Sequence, residues 1–536
     1  MKHEAFLDFI WQDICLSVIG LEIHKHVSHA YCTKRIVSAH EHIQYPRRRT
    51  NLAEILKQTR SICSTCGEII PASYEVREQD HVFFTRTCPT HGVVGTDLGN
   101  HAAYYRKSFD VEKLMLERYG DGGNTDLSKG LSPFPLRKPA GLVILEVTER
   151  CNLTCPMCYA YSSPSERDYS LEEIETRLDQ LIDIEGKGIS LQISGGEPSV
   201  RKDLETIAAM VKRKGFAQLE MVSNGIRLAR EPDFAEKLVK WGFTSVYLQF
   251  DSTRPEDIIK LRGEDLWSVR EKAIAALERV KLPSTLAVSL YDGLNTDQIQ
   301  QVIHFAWQHP DTVCAIAFQA ATPFGRFEVS SDDSAINDNG NTYPSTENPP
   351  TPRKLRMPEI LKLIEEQSGV PENLFFPVGE GSPLCNAFTL LKYTKEGYKP
   401  IAPKFTLKEF MEVVGPHPNM TLRMLTRGRA AILPQIVTNI GGSLKLMKTL
   451  WPHIGSDPSF WTSRKTLTLF VKPFMDESDI DMSRIERCCF HNASPRGVMS
   501  FCALNAKIRP AQPHASESSF VPIPARRAKQ PEISSY

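Results

Sequence analysis

The amino-acid sequence predicts an α/β protein built on a partial (β/α)6 barrel, preceded by a metal-binding knuckle and followed by a second cysteine-rich region. Between residues 141 and 327, short β-branched runs alternate six times with amphipathic stretches. Such alternation gives a parallel sheet with helices outside it. Six units are fewer than the eight of a closed barrel, so the sheet should curl without closing. Nine of the 13 cysteines also fall in three tight groups, before, within and after this region.

The barrel prediction rests on the following elements. The strands are predicted at Leu142–Thr148, Ser190–Ser194, Leu219–Ser223, Ser245–Phe250, Thr285–Leu290 and Val313–Phe318. The intervening helices are predicted at Leu171–Ile184, Lys202–Lys214, Asp233–Trp241, Trp267–Val280 and Thr296–Gln308. A further helix is expected at Pro358–Gln367.

Composition narrows the function classes. The chain has 536 residues, enough for about three to five domains. Its 64 Lys plus Arg balance 64 Asp plus Glu, so no excess of positive charge points to nucleic acid. No run reaches ~18 apolar residues and no signal peptide is evident, which predicts a cytoplasmic protein. In a reducing compartment, paired cysteines are more often metal ligands than disulfides.

The rest of the chain divides around the barrel by composition. The predicted parts are a poorly structured extension (1–60), a Cys/His metal-binding knuckle (61–100), the barrel core (141–327), a polar disordered insert (328–353), a C-terminal cysteine-containing region (354–505) and a disordered tail (509–536). The apolar stretch Ala430–Trp451 could be ordinary core or could line an apolar cavity.

The knuckle has four soft or borderline ligands in C-x2-C…C-x2-H spacing, namely Cys63, Cys66, Cys88 and His91. Tetrahedral zinc or a mononuclear, rubredoxin-like iron would satisfy them. The spacing leaves no obvious open position, which favours a structural or electron-relay role. The alternative is a set of uncoordinated thiols.

The central motif is Cys151, Cys155 and Cys158, in C-x3-C-x2-C spacing directly after the first predicted strand. This is the end of a strand at which α/β barrels place their active sites. Three thiolates can hold three irons of a [4Fe–4S] cubane, and the fourth iron then lacks a protein ligand. An open iron is a reaction site that the amine and carboxylate of an amino acid can chelate. The alternatives are a zinc knuckle or buried thiols.

With these cysteines, residues 141–325 resemble the radical S-adenosylmethionine (SAM) superfamily. The resemblance implies that the cluster binds SAM and cleaves it to methionine and a 5′-deoxyadenosyl radical, which abstracts hydrogen from an unreactive C–H bond. It assigns no protein side chain to the chemistry itself. Expected SAM contacts end the second, third and fourth strands or precede the third cysteine: Gly195, Gly196, Glu197, Pro198, Ser223, Asn224, Gln249, Asp251 and Met157. The glycines would let the backbone approach SAM, Glu197 would pair with a nearby cation, and Met157 would pack on adenine.

A third group, Cys488, Cys489 and Cys502, could form an auxiliary [4Fe–4S] site with Cys385. Adjacent cysteines cannot both ligate without an unusual loop, so one of the pair could be a spectator. The alternative is a buried thiol cluster without metal.

Residues 61–505 as a whole resemble one radical SAM subfamily, which contains tetraether lipid synthases and dihydro-hydroxymethylpterin methyltransferases. The resemblance rests on Cys88-Pro-Thr-His91-Gly92, on Lys472-Pro-Phe-Met-Asp476 and on the cysteines near residues 488–502. Glu380 stands where relatives have a cysteine, so the number of auxiliary clusters stays open.

This resemblance predicts a radical SAM enzyme that forms a carbon–carbon bond, by lipid-chain coupling or by methyl transfer, for example to a pterin. Its expected partners are a small-molecule or lipid substrate and a reductant such as ferredoxin or flavodoxin. A lipid substrate would bring the enzyme to a membrane surface. Two alternatives stay open: a peptide-modifying radical SAM maturase and a non-catalytic metal-binding scaffold.

Overall fold

A computed structural model provides the structure of the protein. It describes residues 53–123, 126–326, 333–334, 353–377, 381–401 and 466–509. All of them belong to one compact unit, Ala53–Tyr536. Cys15, Cys32, Glu380 and the apolar stretch Ala430–Trp451 lie outside the described residues. None of the described helices has the length and apolar character that a membrane crossing needs.

The N-terminal region is a four-stranded antiparallel ribbon followed by a helix. Its elements are β1 (Glu54–Ile62), β2 (Ile69–Val76), β3 (Val82–Cys88), β4 (Gly92–Asp97) and α1 (Ala102–Tyr119). Because β1 begins at Glu54, ordered structure starts inside the stretch 1–60, for which the sequence predicts none. Tyr74 and Phe84 form the ribbon core with Tyr105 of α1.

All six predicted barrel strands are present, and each pairs in parallel with the next. They are β5 (Leu142–Thr148), β6 (Ser190–Gly195), β7 (Gln218–Ser223), β8 (Ser245–Gln249), β9 (Ser284–Leu290) and β10 (Val313–Ala320). Most of their residues are buried, as expected for parallel strands covered on both faces.

Helices connect these strands at the five predicted amphipathic stretches and at two places that were not predicted, Ile226–Arg230 and Pro255–Arg262. They are α2 (Leu171–Glu185), α3 (Leu204–Lys214), α4 (Ile226–Arg230), α5 (Phe234–Trp241), α6 (Pro255–Arg262), α7 (Trp267–Arg279) and α8 (Ile299–Gln308). Short 3-10 turns lie at Pro198–Val200 and Thr296–Gln298. A capping box between Ser170 and Glu173 starts α2, and Gly215 ends α3 in the left-handed conformation.

The polar insert predicted as disordered contributes one described element. Asp333–Ser334 forms a two-residue strand, β11, that pairs antiparallel with β4. The insert therefore contacts the N-terminal ribbon at this point.

The C-terminal region extends the barrel sheet, which sequence analysis did not predict. Its elements are α9 (Met357–Ser368), β12 (Phe376–Pro377), β13 (Ala387–Thr394), β14 (Gly397–Pro400), β15 (Thr466–Lys472), α10 (Met482–Glu486), β16 (Phe490–Ser494), β17 (Gly497–Ser500) and α11 (Phe501–Ala503), with 3-10 and π turns at Glu372–Leu374 and Leu504–Ile508. β15 pairs in parallel with β10, and β16 pairs in parallel with β5. The partial barrel is confirmed, with one further parallel strand on each side of the predicted six.

The predicted disordered tail needs one correction at its first residue. Arg509 is buried, donates from Nε to Asn505 Oδ1 at 3.0 Å and forms an ion pair with Glu146 of β5. The ordered chain therefore continues through this residue because its charge is paired inside the protein.

Candidate cofactor and metal sites

The three central cysteines lie on the loop that follows β5. Cys155 is buried, and Cys151 and Cys158 are half-buried. All three pack on one apolar cluster that includes Leu153 and Ile226. Burial raises the pKa of Cys151 to about 12, and the nearby charge of Glu197 adds to the rise. Three thiols that pack on one apolar cluster, one of them buried and two half-buried, fit a [4Fe–4S] cubane, which would displace their protons on binding.

Arg326, which sequence analysis missed, holds this cysteine loop in place. Its Nε donates to Cys155 O at 3.0 Å, its Nη2 to Ser162 O at 2.7 Å and its backbone N–H to Cys158 O at 3.0 Å. At the preceding Gly325, a Cβ would lie 2.1 Å from Cys158 O. The Gly-Arg pair just beyond the sixth strand was the available sequence signal.

Gly195 and Gly196 at the end of β6 are required by close approach of the chain to itself. A Cβ on Gly195 would lie 2.1 Å from Thr148 O, and one on Gly196 would lie 2.3 Å from Arg150 O. Backbone hydrogen bonds join the same segments, from Gly196 N to Thr148 O at 2.8 Å and from Glu197 N to Arg150 O at 2.9 Å. The structure thus adds a reason for the glycines beyond the expected approach to SAM: they seat β6 against the start of the cysteine loop.

Glu197 is almost fully buried and joins two strand ends. Its carboxylate accepts from Ser199 N at 3.1 Å, Ser223 Oγ at 3.0 Å and Asn224 N at 2.6 Å. Burial raises the pKa of Glu197, although the hydrogen bonds from these donors act to lower it. Its hydrogen-bond partners in the described part of the chain are thus hydroxyl and N–H groups rather than the cation that sequence analysis expected. Pro198 is buried and opens the following 3-10 turn.

Asn224 connects this network to the cysteine loop. Its Nδ2 donates to Asn152 Oδ1 at 2.7 Å and lies 4.0 Å from Cys151 Sγ. Arg270, fully buried on α7, donates to Asn224 O and, at 3.1 Å, to Gln249 Oε1. Burial lowers the pKa of Arg270 to about 10. The guanidinium therefore ties together the ends of β7 and β8.

Asp251 forms a buried, bidentate ion pair with Arg262 of α6, with both N···O distances 2.8 Å. Asp251 also has φ +69°, a backbone conformation that non-glycine residues seldom adopt. Burial raises the pKa of Cys155, and the neighbouring Arg262 opposes that rise. Arg262 and Arg270 were both missed by sequence analysis. The sequence signal for each buried arginine is its position among the apolar residues of an amphipathic helix.

A cavity of about 190 Å³ lies inside the curl of the sheet. Met157, Gln249 and Asp251 line it together with Arg262. Lys472, from β15, lines the same cavity. Further lining residues include aromatic and amide side chains, namely Tyr159, Gln192, Tyr247, Gln319, Phe474, Phe490 and Phe501, and aliphatic ones such as Leu142, Ile144 and Val222. The cavity can therefore hold a ligand with both ring faces and polar edges.

The knuckle residues converge as their spacing predicts. The ligand atoms of Cys63, Cys66, Cys88 and His91 all lie within 4.8 Å of one another. Burial alone would raise the pKa of Cys63, but backbone N–H groups of Cys66 and Thr65 lower it to about 6. A thiol this acidic is readily available as a thiolate, the form that binds zinc.

Of the C-terminal cysteines, Cys489 is buried, and Cys385, Cys488 and Cys502 are half-buried. Burial raises the pKa of Cys488, and the charges of Cys489, Cys502 and Cys385 add to the rise. Cys385 Sγ accepts from Arg484 Nε at 3.3 Å. Cys502 Sγ accepts from the backbone N–H of Met475 at 3.4 Å. Because Glu380 is outside the described residues, the structure does not add it to this group.

Two family models match the chain. Residues 145–306 match the radical SAM superfamily. Residues 55–96 match the N-terminal zinc ribbon domain of the HMPTM type. The first range covers most of the barrel and the second covers the N-terminal ribbon.

One curated relative matches most of the chain, and another matches about a third of it. The chain is 26% identical over 498 residues to a 7,8-dihydro-6-hydroxymethylpterin dimethyltransferase of Methanocaldococcus jannaschii, covering 84% of this chain and 93% of that protein. It is 32% identical over 174 residues to a GTP 3′,8-cyclase of Heliobacterium modesticaldum, covering 31% of this chain and 51% of the cyclase. The chain thus spans nearly all of the first relative and about half of the second.

Among solved structures, Streptococcus suis SuiB bound to S-adenosylmethionine matches with a TM-score of 0.30 and 16% identity. The match covers 48% of this chain and 64% of SuiB.

Proposed function

Because this chain is a radical SAM enzyme, we propose that it uses a [4Fe–4S] cluster on Cys151, Cys155 and Cys158 to methylate a planar, pterin-like ring. When bound there, the cluster and SAM supply a 5′-deoxyadenosyl radical, which abstracts a hydrogen atom from a C–H bond. The observation that carries the proposal is that the cysteine loop and the amide-lined and aromatic cavity meet at the same strand ends. Reductive cleavage of SAM would consume one electron, for which ferredoxin or flavodoxin is the natural class of donor. Replacing the abstracted hydrogen with a methyl group from a methyl cation donor such as SAM would consume a second electron from the same reductant.

In this proposal the protein side chains hold the cluster, the cysteine loop and the strand ends in place and limit the access of water. None of them is assigned a proton transfer. The three thiolates hold the cluster, and Arg326 fixes the carbonyls of their loop. The network of Glu197 and Asn224 fixes the adjoining strand ends. Met157 offers a polarisable surface for adenine. The strand residues that line the cavity limit the access of water to a reactive radical.

Two observations favour a pterin-like substrate. The relative that this chain matches along 93% of its length is named as a 7,8-dihydro-6-hydroxymethylpterin dimethyltransferase. The cavity combines aromatic rings with the polar groups of Gln192, Gln319 and Lys472. Rings stack on planar heterocycles, and polar groups recognise their edges. An alkyl chain would leave these polar groups without partners.

The two flanking sites are proposed as metal centres. Cys63, Cys66, Cys88 and His91 would hold zinc in a closed structural site. Cys385, Cys488, Cys489 and Cys502 would hold an auxiliary iron–sulfur cluster, with one of the adjacent pair as a spectator.

The test is to give anaerobically reconstituted enzyme dithionite, SAM and 7,8-dihydro-6-hydroxymethylpterin. The proposal expects 5′-deoxyadenosine together with a pterin product heavier by one CH2 per methyl transfer, read by mass spectrometry. SAM labelled with deuterium on its methyl group shows whether SAM or another one-carbon donor supplies the methyl.

Other outcomes identify the alternatives. Release of 5′-deoxyadenosine with modification only of a lipid chain or a peptide would replace the pterin with that substrate. No release from protein with a full complement of cluster iron would favour a scaffold.

A further inference from the structure

Lys472 is the last residue of β15, at the place where the two sides of the curled sheet approach each other without pairing. β15 and β16 lie on either side of the six central strands and do not pair with each other. Even so, the Lys472 ammonium lies 4.7 Å from the ring centroid of Phe490, the first residue of β16. It also lies 5.5 Å from the Phe470 ring and 5.7 Å from the Tyr247 ring. A single cation therefore stands among three aromatic rings at the wall of the cavity.

Across the described residues, Lys472 Nζ makes neither a hydrogen bond nor an ion pair, although Glu220 lines a second, smaller cavity together with it. Glu220 exerts an electrostatic influence on it but is itself buried, and its carboxylate accepts from Gln192 Nε2 at 2.6 Å and from Ser245 Oγ at 3.0 Å. Burial lowers the pKa of Lys472 to about 8, so the amine still carries its charge at neutral pH. Aromatic faces offset only part of the cost of sheltering that charge from water.

Two glutamines, Gln192 of β6 and Gln319 of β10, present the opposite polarity to the same cavity. Gln192 donates its amide group to Glu220, and Gln319 donates its own to the Tyr247 hydroxyl. Each then has its side-chain carbonyl oxygen left to accept, without a partner in the part of the chain that the structure describes. Gln319 is also the register partner of Lys472 on the adjacent strand. The cavity wall thus offers one charged donor and two neutral acceptors, one of them on the strand next to the donor.

We propose that Lys472 is the substrate-anchoring cation of the barrel, and that it binds the ring oxygen of a planar heterocycle whose neighbouring N–H groups donate to Gln192 and Gln319. The substrate class is a ring with an adjacent carbonyl, ring N–H and exocyclic amine, such as a 2-amino-4-oxopyrimidine edge. This inference rests on the proposed function and adds to it the residues that determine specificity. A hydrocarbon chain at this position would leave the ammonium and both carbonyls unpaired, which is unfavourable.

The experiment compares Lys472→Met and Lys472→Gln with the wild type and with a matched control, Lys212→Met, which changes an exposed lysine on α3. Each holoenzyme is reconstituted anaerobically, and its iron content is measured as proof that the cluster sites are intact. Binding of 7,8-dihydro-6-hydroxymethylpterin is then titrated in the presence of SAM. Loss of a charge-assisted hydrogen bond should weaken binding by about tenfold or more in both Lys472 variants. Lys472→Arg should retain most of the affinity, and Lys212→Met should retain all of it.

A second probe tests the glutamine contacts. The 2-deamino analogue of the pterin lacks the exocyclic amine, so wild-type enzyme should bind it roughly fivefold more weakly. Equal affinity for the two probes would remove that amine from the recognition scheme.

The outcomes separate this inference from the proposed function. Lys472→Met with full iron and wild-type pterin affinity would overturn the anchoring role. Wild-type enzyme that releases 5′-deoxyadenosine but binds no dihydropterin would overturn the substrate class. Wild-type enzyme that carries full iron but releases no 5′-deoxyadenosine would instead contradict the proposed function.

Discussion

A single methyl group added at Gly196 should abolish cluster binding while the barrel stays folded. In Gly196→Ala the new Cβ would lie 2.3 Å from Arg150 O and 2.8 Å from Glu149 O. Ordinary contact distances require these atoms to separate by about 1 Å. That movement breaks the two backbone hydrogen bonds between this turn and the cysteine loop, at 2.8 and 2.9 Å. Because each is worth about 1 kcal/mol, and more if a buried group is left unpaired, the loop should lose about 2–4 kcal/mol.

That loss lowers the equilibrium constant for the correctly formed loop roughly thirtyfold or more. The assay is iron and sulfide content after anaerobic reconstitution, combined with 5′-deoxyadenosine release. The matched control is Gly186→Ala at the end of α2, where φ is +74° and nothing lies within 4 Å of an added Cβ. It should cost about 1–3 kcal/mol of stability, because its ψ of −173° places it in a region that essentially only glycine adopts, without affecting iron content. Full iron and full SAM cleavage in Gly196→Ala would show that the packing of these two segments does not control the site.

Three further predictions address other parts of the structure. Arg326→Met removes the side-chain donor to Cys155 O and should lower central-cluster iron without unfolding the barrel, as read by iron content and circular dichroism. His91→Ala should release zinc, measured by elemental analysis, while SAM cleavage per cluster is retained, because the knuckle lies outside the barrel cavity. Burial alone would raise the pKa of Asp476, but neighbouring cations, Lys354 first among them, lower it to about 2 from its usual 3.8. The stabilisation, about 2 kcal/mol, should therefore be present above pH 4 and be lost as the pH falls toward 2, and Lys354→Met should flatten that dependence in thermal unfolding.

The barrel strands and the central motif could be predicted because their signals are local. Leu142–Thr148 is a continuous apolar run with one acidic residue, and the structure gives the strand the same bounds. The cysteine spacing directly after it places the three thiols on one loop at a strand end. The structure packs these three thiols together on one apolar cluster.

What could not be predicted depends on pairings between distant parts of the chain. β15 pairs with β10 at one edge of the six central strands, and β16 pairs with β5 at the other edge. Both lie more than 140 residues beyond β10 in the sequence, and no local pattern predicts which edge a strand will pair with. Arg326 is missed for a similar reason, since its importance lies in carbonyl groups that are distant in sequence. Lys472 was noticed only as part of a motif, and its position among aromatic rings emerges only when the sheet has curled.

The central claim is that Cys151, Cys155 and Cys158 hold the cluster that cleaves SAM. The most direct test compares wild-type protein with the triple Cys→Ala variant at these positions, both reconstituted anaerobically and given dithionite and SAM. The variant should lose one cluster's worth of iron and sulfide, keep its knuckle metal and release no 5′-deoxyadenosine, whereas the wild type releases it. Unchanged iron, or continued release of 5′-deoxyadenosine by the variant, would contradict the account.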